Sequence, residues 1–400
     1  MFFRQKSSLG TFAIRYDSTV RLLITIIFSA LFLSVSSSAQ WEIEDAHTTA
    51  NLRGIDNVGG GIAWASGSNG TVLRTEDGGY RWQLCAIPPG AEKLDFRGIQ
   101  AFDAKTAIVM SSGKGDLSRL YKTTDGCQTW KLVFTNPDKD GFWDAFQLVT
   151  PKTIWILGDP VPYHRPVPNP QFAIYISEGG KNFVRFQSPA LEAEPSKAGA
   201  FAASNSSLRV SSPPGWCWFG TGGSNGPQIF YGNFYSDMVT PYGSGITQLN
   251  WNSATVTMAV GRTAGIFSIA FRETETGDHR YWALPARLAA VGGDYTKPND
   301  TAGNAAYSLD GGKTWQVATT LPHGYRSAVA WDAQDKLWIT VGPNGTDISR
   351  DDGRNWTALK PAKNEPTDAD KDWNALSLPF VVGPNGRIGK LRPSALQAGK

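Results

Sequence analysis

A short motif recurs along this chain, and its recurrence limits the possible folds more than any other feature. Four copies end in tryptophan, namely TEDGGYRW at 75–82, TTDGCQTW at 123–130, SLDGGKTW at 308–315 and SRDDGRNW at 349–356. A degenerate fifth copy, ISEGGKNF, occupies 176–183. A hydroxyl residue or its substitute comes first, an acid follows two residues later, and glycine and an aromatic residue complete the motif. A unit that recurs in this way predicts an array of supersecondary structures.

The chemistry of the motif is local and predicts a tight hairpin turn. Ser, Thr and Asp side chains bond nearby backbone N–H groups, and glycine supplies the positive φ that such turns need. Apolar runs rich in β-forming residues flank the copies, for example Thr71–Leu73 before Asp77 and Trp130–Phe134 after Asp125. We therefore predict a β-hairpin with the tryptophan packed at its base, and we expect the acid to be occupied by its own turn rather than by a metal or a reaction.

The spacing of the flanking runs predicts a seven-bladed β-propeller. A β-run that ends in a glycine turn precedes each hairpin, and a further run lies upstream, so each repeat contains strands A, B, C and D. Four-stranded units of about 40–55 residues arranged around an axis are propeller blades. Six and eight blades are the alternatives. The predicted first strands are Leu52–Ile55, Phe96–Ile99, Trp143–Phe146, Ala200–Ala203, Ile266–Ile269, Tyr325–Ala328 and Trp373–Leu376.

The last and the middle repeats depart from this pattern. The seventh ends soon after its strand C, so we predict that Trp41–Glu44 supplies the missing strand D and closes the ring, which removes an open sheet edge. The fourth, at about 199–235, has no recognisable acidic hairpin. We expect residues 236–262 to form a long connection, and residues 273–280 to be an insertion between strands A and B of the fifth blade.

The N-terminal residues have the pattern of a signal peptide. Four basic residues precede an apolar run at 22–33, and Ser37 and Ala39 are small residues suited to cleavage before Gln40. This run is shorter than the roughly 20 residues that a bilayer span needs, although an uncleaved anchor is the alternative. We predict a signal peptide at 1–39, a propeller at 40–392, a short tail at 393–400, and export to the periplasm or the exterior without membrane insertion after cleavage.

The charge of the predicted mature chain argues against nucleic acid as a partner. The whole chain has 38 basic and 35 acidic residues, and residues 1–39 hold four of the basic and one of the acidic, which leaves 34 of each sign. A net charge near zero gives no bulk attraction to nucleic acid or to an anionic membrane. The sequence does not indicate an oligomeric state.

The sequence predicts no metal site and no cofactor. There are three cysteines and four histidines, and neither a CxxC nor an HExxH motif is present. Cys85 and Cys127 lie near the ends of adjacent repeats and can form a disulfide. The alternative is that these two and Cys217 are three buried thiols.

Topology places the candidate site at the mouth of the central channel. The start of strand A and the B–C turn of every blade lie on one face, and the acidic hairpins lie on the other. The same register around the seven A strands gives Arg53, Arg97, Asp144, Phe201, Phe267, Arg326 and Asn374. The B–C turns add Lys114, Asp159, Asp294, Tyr295 and Lys297 on this face.

Two interpretations of these charged residues stay open. Arginines from separate blades offer bidentate donors to a carboxylate or a phosphate, which predicts a pocket for an anion or an acidic peptide. The predicted ligand-binding residues are Arg53, Arg97, Arg326, Asn374, Tyr295 and Lys297. Alternatively, the three arginines are neutralised internally by Asp144, Asp159 and Asp294; both interpretations can hold together.

The four tryptophan-ended motifs resemble the Asp-box (BNR) repeat of sialidases, xyloglucanases, sortilin-type receptors and photosystem II assembly-factor-like propellers. The glycine turn coupled to the box, in GSNGTVLRTEDGG and GPNGTDISRDDG, is most similar to the last group, exported bacterial propellers. The resemblance covers residues 41–392 and is specific for fold rather than function. The assembly-factor-like group implies a non-enzymatic scaffold that binds a protein partner, partly through arginines.

The resemblance to sialidases is more distant. Their arginine triad would correspond to Arg53, Arg97 and Arg326. Their Phe-Arg-Ile-Pro motif is absent here, they usually have six blades, and their tyrosine–glutamate pair has no match in this sequence.

We therefore expect an exported propeller that binds a protein partner or an acidic ligand without catalysis. The alternative is a carbohydrate-active hydrolase that uses Asp144, Asp159 and Asp294. A glycosidase keeps one carboxyl group protonated in a buried setting. An unpaired buried acid beside open space would favour the enzyme, whereas acids bound to arginines would favour the scaffold.

Overall fold

A ring of seven β-sheets forms the fold of the computed structural model. The structure describes residues 40–150, 152–162, 169–178, 180–211, 215–236, 246–273, 286–359 and 368–396. In this part of the chain the sheets are antiparallel, and the innermost strand of each contacts the innermost strand of the next, including the first and the last. The predicted seven-bladed β-propeller is confirmed.

The strands follow the predicted order of A, B, C and D in each blade. The chain begins with β1 (Trp41–Glu44), which belongs to the last blade. Blades one to three contain β2 (Leu52–Gly59), β3 (Ile62–Gly67), β4 (Val72–Thr75) and β5 (Gln83–Leu84); β6 (Phe96–Ala101), β7 (Ala107–Ser111), β8 (Arg119–Thr123) and β9 (Lys131–Thr135); and β10 (Trp143–Thr150), β11 (Thr153–Val161), β12 (Gln171–Glu178) and β13 (Asn182–Phe186).

Blades four to seven continue this arrangement with one additional short strand. Blade four contains β14 (Leu208–Val210), β15 (Gly215–Gly220), β17 (Gln228–Ser236) and β18 (Ile246–Thr255), and β16 (Gly222–Gly223) pairs with blade five. The remaining strands are β19 (Gly261–Glu273), β20 (Ala286–Asp294), β21 (Ala305–Ser308) and β22 (Gln316–Val317); β23 (Ala328–Asp332), β24 (Leu337–Gly342), β25 (Gly345–Ser349) and β26 (Thr357–Leu359); and β27 (Ala375–Ser377), β28 (Phe380–Val382) and β29 (Ile388–Leu391). Short 3₁₀ turns occupy Gly115–Leu117, Pro189–Leu191 and Pro393–Leu396.

The N-terminal strand closes the ring as predicted. All four residues of β1 pair antiparallel with β29, from Trp41 opposite Leu391 to Glu44 opposite Ile388. The indole Nε1 of Trp41 donates to Thr346 Oγ1 at 3.1 Å and to Asp370 Oδ1 at 3.0 Å. Blade seven therefore consists of strands from both ends of the described chain.

Hydrophobic clusters between neighbouring blades form the core. Each of the seven clusters combines side chains from two adjacent blades, as expected for sheets that pack face to face around a ring. Burial of apolar area contributes about 25 cal/mol per Å², so large aromatic side chains contribute most. Fully buried tryptophans occupy strand B in four blades, as Trp64, Trp155, Trp218 and Trp338.

The repeated hairpins have the local hydrogen bonds that their sequence predicts. In the first, Thr75 Oγ1 donates to Asp77 Oδ1 at 2.9 Å, while Gly79 N donates to Thr75 Oγ1 and Arg81 N to Asp77 Oδ1, both at 3.0 Å. Asp125, Asp310 and Asp351 have the same arrangement. The pKa of Asp125 falls to about 2 because Thr129 donates to its carboxylate through side chain and backbone. The acids are occupied by their turns, as expected.

A disulfide between Cys85 and Cys127 joins the first two blades. Cys127 takes the place of the second glycine of the motif and has φ +65°, a left-handed conformation that costs a side-chain-bearing residue energy. Of the two possibilities left open by the sequence, pairing is the one observed, and Cys217 is a buried thiol.

Blade four differs from the sequence prediction in two respects. Its strand A is β14, whereas Ala200–Ala203 form no strand and lie in the segment before it. The stretch 236–262 is not one long connection, because β18 pairs along the length of β17 as the fourth strand. Its residues 237–245, and residues 274–280 of the predicted insertion, lie outside the described residues.

Two further observations concern the predicted C-terminal tail and membrane-spanning helices. Ala395 and Leu396, in the predicted tail, are buried against the cluster between blades six and seven. Among the described residues, no helix has the length and hydropathy that crossing a bilayer would need.

Candidate functional site

A cavity of about 540 Å³ opens where the inner strands begin, on the face opposite the acidic hairpins. On the hairpin face, Gly78 N donates to Gly61 O and Gly126 N donates to Lys105 O, so the first two hairpins are joined to the A–B turns of their own blades. None of the residues that line the cavity belongs to a hairpin motif. The volume lies in the range of small-ligand pockets.

Equivalent β-bulges turn four side chains toward this cavity. The register between strands A and B shifts by one residue at Arg53, Arg97, Asp144 and Phe267. A bulge leaves one residue without a partner and re-aims its side chain, so the same device recurs in four blades. Phe201 and Asn374, from two further blades, also line the cavity. Six of the seven residues that share this register in the sequence are thus brought together.

The guanidinium groups of Arg53 and Arg97 share a single carboxylate. Asp95 Oδ2 lies 2.8 Å from Arg97 Nε and 3.6 Å from Arg53 Nε. Arg97 also donates to Ala202 O at 3.2 Å, whereas Arg53 Nε is buried without a hydrogen-bond partner. Burial, and then the charge of Arg97, lowers the pKa of Arg53. Two cations against one anion leave donors available to an acidic ligand.

Two carboxyl groups of blade three lie on the same cavity. Asp144 is 2% exposed and its Oδ2 has no hydrogen-bond partner, while Asp159 Oδ1 accepts from Ala200 N at 3.0 Å. Burial and then the charge of Asp159 raise the pKa of Asp144, although Arg97 opposes this. Burial raises the pKa of Asp159 to about 6. Neighbouring buried carboxyl groups resist simultaneous ionisation, so each negative charge here disfavours the other.

Aromatic side chains form the wall beside these charges. Phe201 stacks on Phe267 with ring centroids 3.9 Å apart, and Tyr325 meets Phe267 edge-on at 4.9 Å. Tyr295 is 51% exposed, and Trp373 is a buried part of the lining. The cavity therefore combines apolar surface with two groups of opposite charge.

Arg326 is the register residue that the structure does not bring to the cavity. It is fully buried, where Nε donates to Asp347 Oδ2 at 2.8 Å and Nη2 bonds the same oxygen. Its Nη1 donates to Tyr325 O and Asn344 Oδ1, and Nη2 also lies 2.9 Å from His323 Nδ1. The expected arginine triad is thus a pair, because Asp347 on β25 holds the third guanidinium inside blade six.

The internal ion pairs expected from the sequence have other partners. Asp95 and Asp347 neutralise the arginines in place of Asp144, Asp159 and Asp294. Asp294 accepts from Thr263 Oγ1 at 2.8 Å and from Thr296 Oγ1 at 2.7 Å, and the Thr296 side chain is the main cause of its lowered pKa. Asp294 is therefore an ionised turn residue rather than a general acid.

Three other residues predicted from the sequence already bond other groups of the protein. Lys297 points to solvent and forms a 3.5 Å ion pair with Asp294, and Lys114 pairs with Asp140. Asn374 lines the cavity, but its amide donates to Asn51 Oδ1 and Leu52 O, both at 2.8 Å. It fixes the seam between blades seven and one.

Sequence reasoning missed two charged residues of the site. Asp95 precedes Arg97 by two positions, so alternation along a strand could have indicated their pairing. Arg262 is exposed and borders both this cavity and an adjoining groove of about 290 Å³ lined by Pro195–Phe201 and Gly222–Ser224. It was hidden in the stretch interpreted as a connection. The described residues hold no group of three or more His, Cys, Asp or Glu side chains that could bind a metal.

Solved structures similar to this chain are propellers of low sequence identity. YCF48 bound to D1 peptide has a TM-score of 0.54 at 16% identity, covering 88% of this chain and 97% of that one. YCF48 from Cyanidioschyzon merolae has a TM-score of 0.53 at 19% identity, and the match covers 89% of this chain and 100% of that one. U3-55K has a TM-score of 0.54 at 11% identity, and the match covers 88% of this chain and 98% of that one. The sequence matches no protein-family model and no curated protein. These similarities establish the fold alone.

Proposed function

We propose that this protein is an exported, non-enzymatic propeller scaffold that binds an acidic segment of a protein partner at the channel mouth. One observation carries the proposal: Arg53 and Arg97, from adjacent blades, share one carboxylate and face an open cavity. Crowding two cations around one acid is costly without a further anion, which an acidic partner supplies.

Two features support the other parts of the proposal. One of the similar structures is YCF48 bound to D1 peptide, so a propeller of this shape can hold a peptide. The disulfide between Cys85 and Cys127 suits an oxidising compartment, in keeping with the signal-peptide pattern of residues 1–39. Export predicts that the protein recovered from the cell envelope begins at Gln40, which N-terminal sequencing checks.

Binding of a capped eight-residue peptide with two glutamates in a glycine-serine background tests the central claim. Isothermal titration calorimetry should detect binding that weakens as salt is added, and R97A should weaken it about tenfold or more, the cost of a charge-assisted hydrogen bond. The matched control is R81A, which removes an exposed arginine on the hairpin face. Equal affinities for R97A and R81A would contradict the proposal.

A carbohydrate-active hydrolase is a second candidate, and the carboxyl pair favours it. Asp144 is buried, has an unpaired oxygen and borders open space beside Asp159, as the acid of a glycosidase would. Asp294 no longer qualifies because its turn holds it ionised. Turnover of sialosides or β-glucans that D144N and D159N abolish would establish this function, and absence of turnover leaves the scaffold.

A further inference from the structure

The two carboxyl groups beside the arginines are only partly used by the fold, since Asp159 accepts one hydrogen bond from Ala200 N. Asp144 and Asp159 form no salt bridge with any described residue, and Asp144 Oδ2 is a buried acceptor without a donor. A buried polar atom without a partner costs about 1–3 kcal/mol, so its retention on a cavity wall points to a ligand that supplies the partner.

The immediate surroundings favour a positively charged nitrogen. A ligand ammonium or guanidinium donates hydrogen bonds to the unpaired Asp144 oxygen, and its positive charge offsets the repulsion between the two carboxyl groups that line the cavity. The stacked Phe201 and Phe267 provide an apolar surface for the stem of a long basic side chain. A bare metal ion fits less well because, among the described residues, two carboxyl groups line the cavity and no third ligand joins them.

The arginines on the same cavity exclude a ligand that is only basic. Arg97 is close enough to lower the pKa of Asp144, so a cation near the carboxyl pair also meets its repulsion. A carboxylate on the same ligand removes that repulsion by occupying Arg53 and Arg97. The charged and titratable groups that face the pair or border its cavity are Arg53, Arg97, Arg262, Asp95, Tyr295 and Tyr325.

We propose that the bound segment has mixed charge, with a carboxylate against Arg53 and Arg97 and a neighbouring lysine or arginine side chain against Asp144 and Asp159. This inference rests on the proposed function and specifies the chemistry of the partner. A bound basic group favours the ionised form of both carboxyl groups. Exclusion of water from the cavity strengthens both contacts, since charge interactions increase as the local dielectric falls.

Three capped eight-residue peptides in the same glycine-serine background test the inference. The acidic probe carries two glutamates, the mixed probe a glutamate followed by a lysine, and the basic probe one lysine. Titration calorimetry on the mature protein should give the mixed probe about tenfold tighter binding than the acidic probe, the increment of one charge-assisted contact. The basic probe should bind more weakly than either of the others, and in buffers of different ionisation enthalpy at pH 7 the mixed probe should release more protons on binding than the acidic probe.

Substitution of the carboxyl pair separates this inference from the proposed function. The D144N/D159N double variant should lose the tenfold preference and the additional proton release, while its affinity for the acidic probe is unchanged or higher. The matched control is D140N, which alters an exposed acid paired with Lys114. Thermal melting of each variant checks folding.

The outcomes are distinct. Equal binding of the mixed and acidic probes overturns the mixed-charge inference and leaves the scaffold proposal standing. Binding of neither probe overturns both. Loss of the preference in D140N as well as in D144N/D159N assigns it to general surface charge and overturns the inference.

Discussion

Substitution of Trp41 by alanine should open the ring, because this side chain anchors the strand that completes blade seven. Trp41 is 3% exposed, donates to Thr346 and Asp370, and lies with its ring centroid 5.8 Å from that of Trp373. A buried aromatic side chain removes roughly 150–250 Å² from water, which at about 25 cal/mol per Å² is roughly 4–6 kcal/mol. This is an upper bound, and core Trp→Ala changes cost about 3–5 kcal/mol. We expect a loss of about 4 kcal/mol.

The matched control lies on the same strand. Ile43 is 51% exposed, and Ile43→Ala leaves the pairing of β1 with β29 intact, so its cost should stay within about 0.5 kcal/mol. Urea unfolding followed by circular dichroism measures both variants. A smaller dependence of the unfolding free energy on urea concentration in W41A would show that blade seven opens separately. Equal midpoints for W41A and I43A would refute the closure argument.

Three further predictions follow from other contacts. Cys85→Ser with Cys127→Ser should cost about 4 kcal/mol in urea unfolding, the entropy of a loop spanning 42 positions, and an unchanged midpoint would contradict it. Thr123→Val should cost about 1–2 kcal/mol by the same assay, since its hydroxyl bonds Asp125 and Cys127, and should leave peptide affinity unaltered. Asp144→Asn should melt above the wild type at pH 8 and lose that advantage toward pH 4. Burial raises the pKa of Asp144 in the folded state, so as pH rises this carboxyl group loses its proton in the unfolded chain first, and the stability of the wild type falls. A difference in melting temperature between the two proteins that stays constant with pH would contradict this.

The sequence predicted most of the fold because the repeated hairpin is held by contacts within eight residues. Thr75, Asp77 and Gly79 bond one another, so the motif identifies its turn wherever it occurs. Blade four lacks the motif, and its β18 was therefore missed. Its alternation was nevertheless present, since Leu249 and Trp251 are buried and Asn250 and Asn252 are exposed. The polar residues on the exposed face of β18 led to its interpretation as a connection.

The site could be predicted only as far as the register is shared between blades. Arg53, Arg97, Asp144 and Phe267 occupy equivalent bulges, so alignment of the repeats places them together. Arg326 has the same position in the sequence, but its guanidinium turns inward to an aspartate of its own blade. Which acid pairs with which arginine depends on contacts between strands, and a single sequence contains no measure of those.

A crystal structure of the mature protein with the two-glutamate peptide tests the account most directly. We predict that a glutamate carboxylate lies in the cavity within hydrogen-bond distance of Arg53 or Arg97. A peptide bound to the hairpin face, with both guanidinium groups still confined to Asp95, would contradict the account.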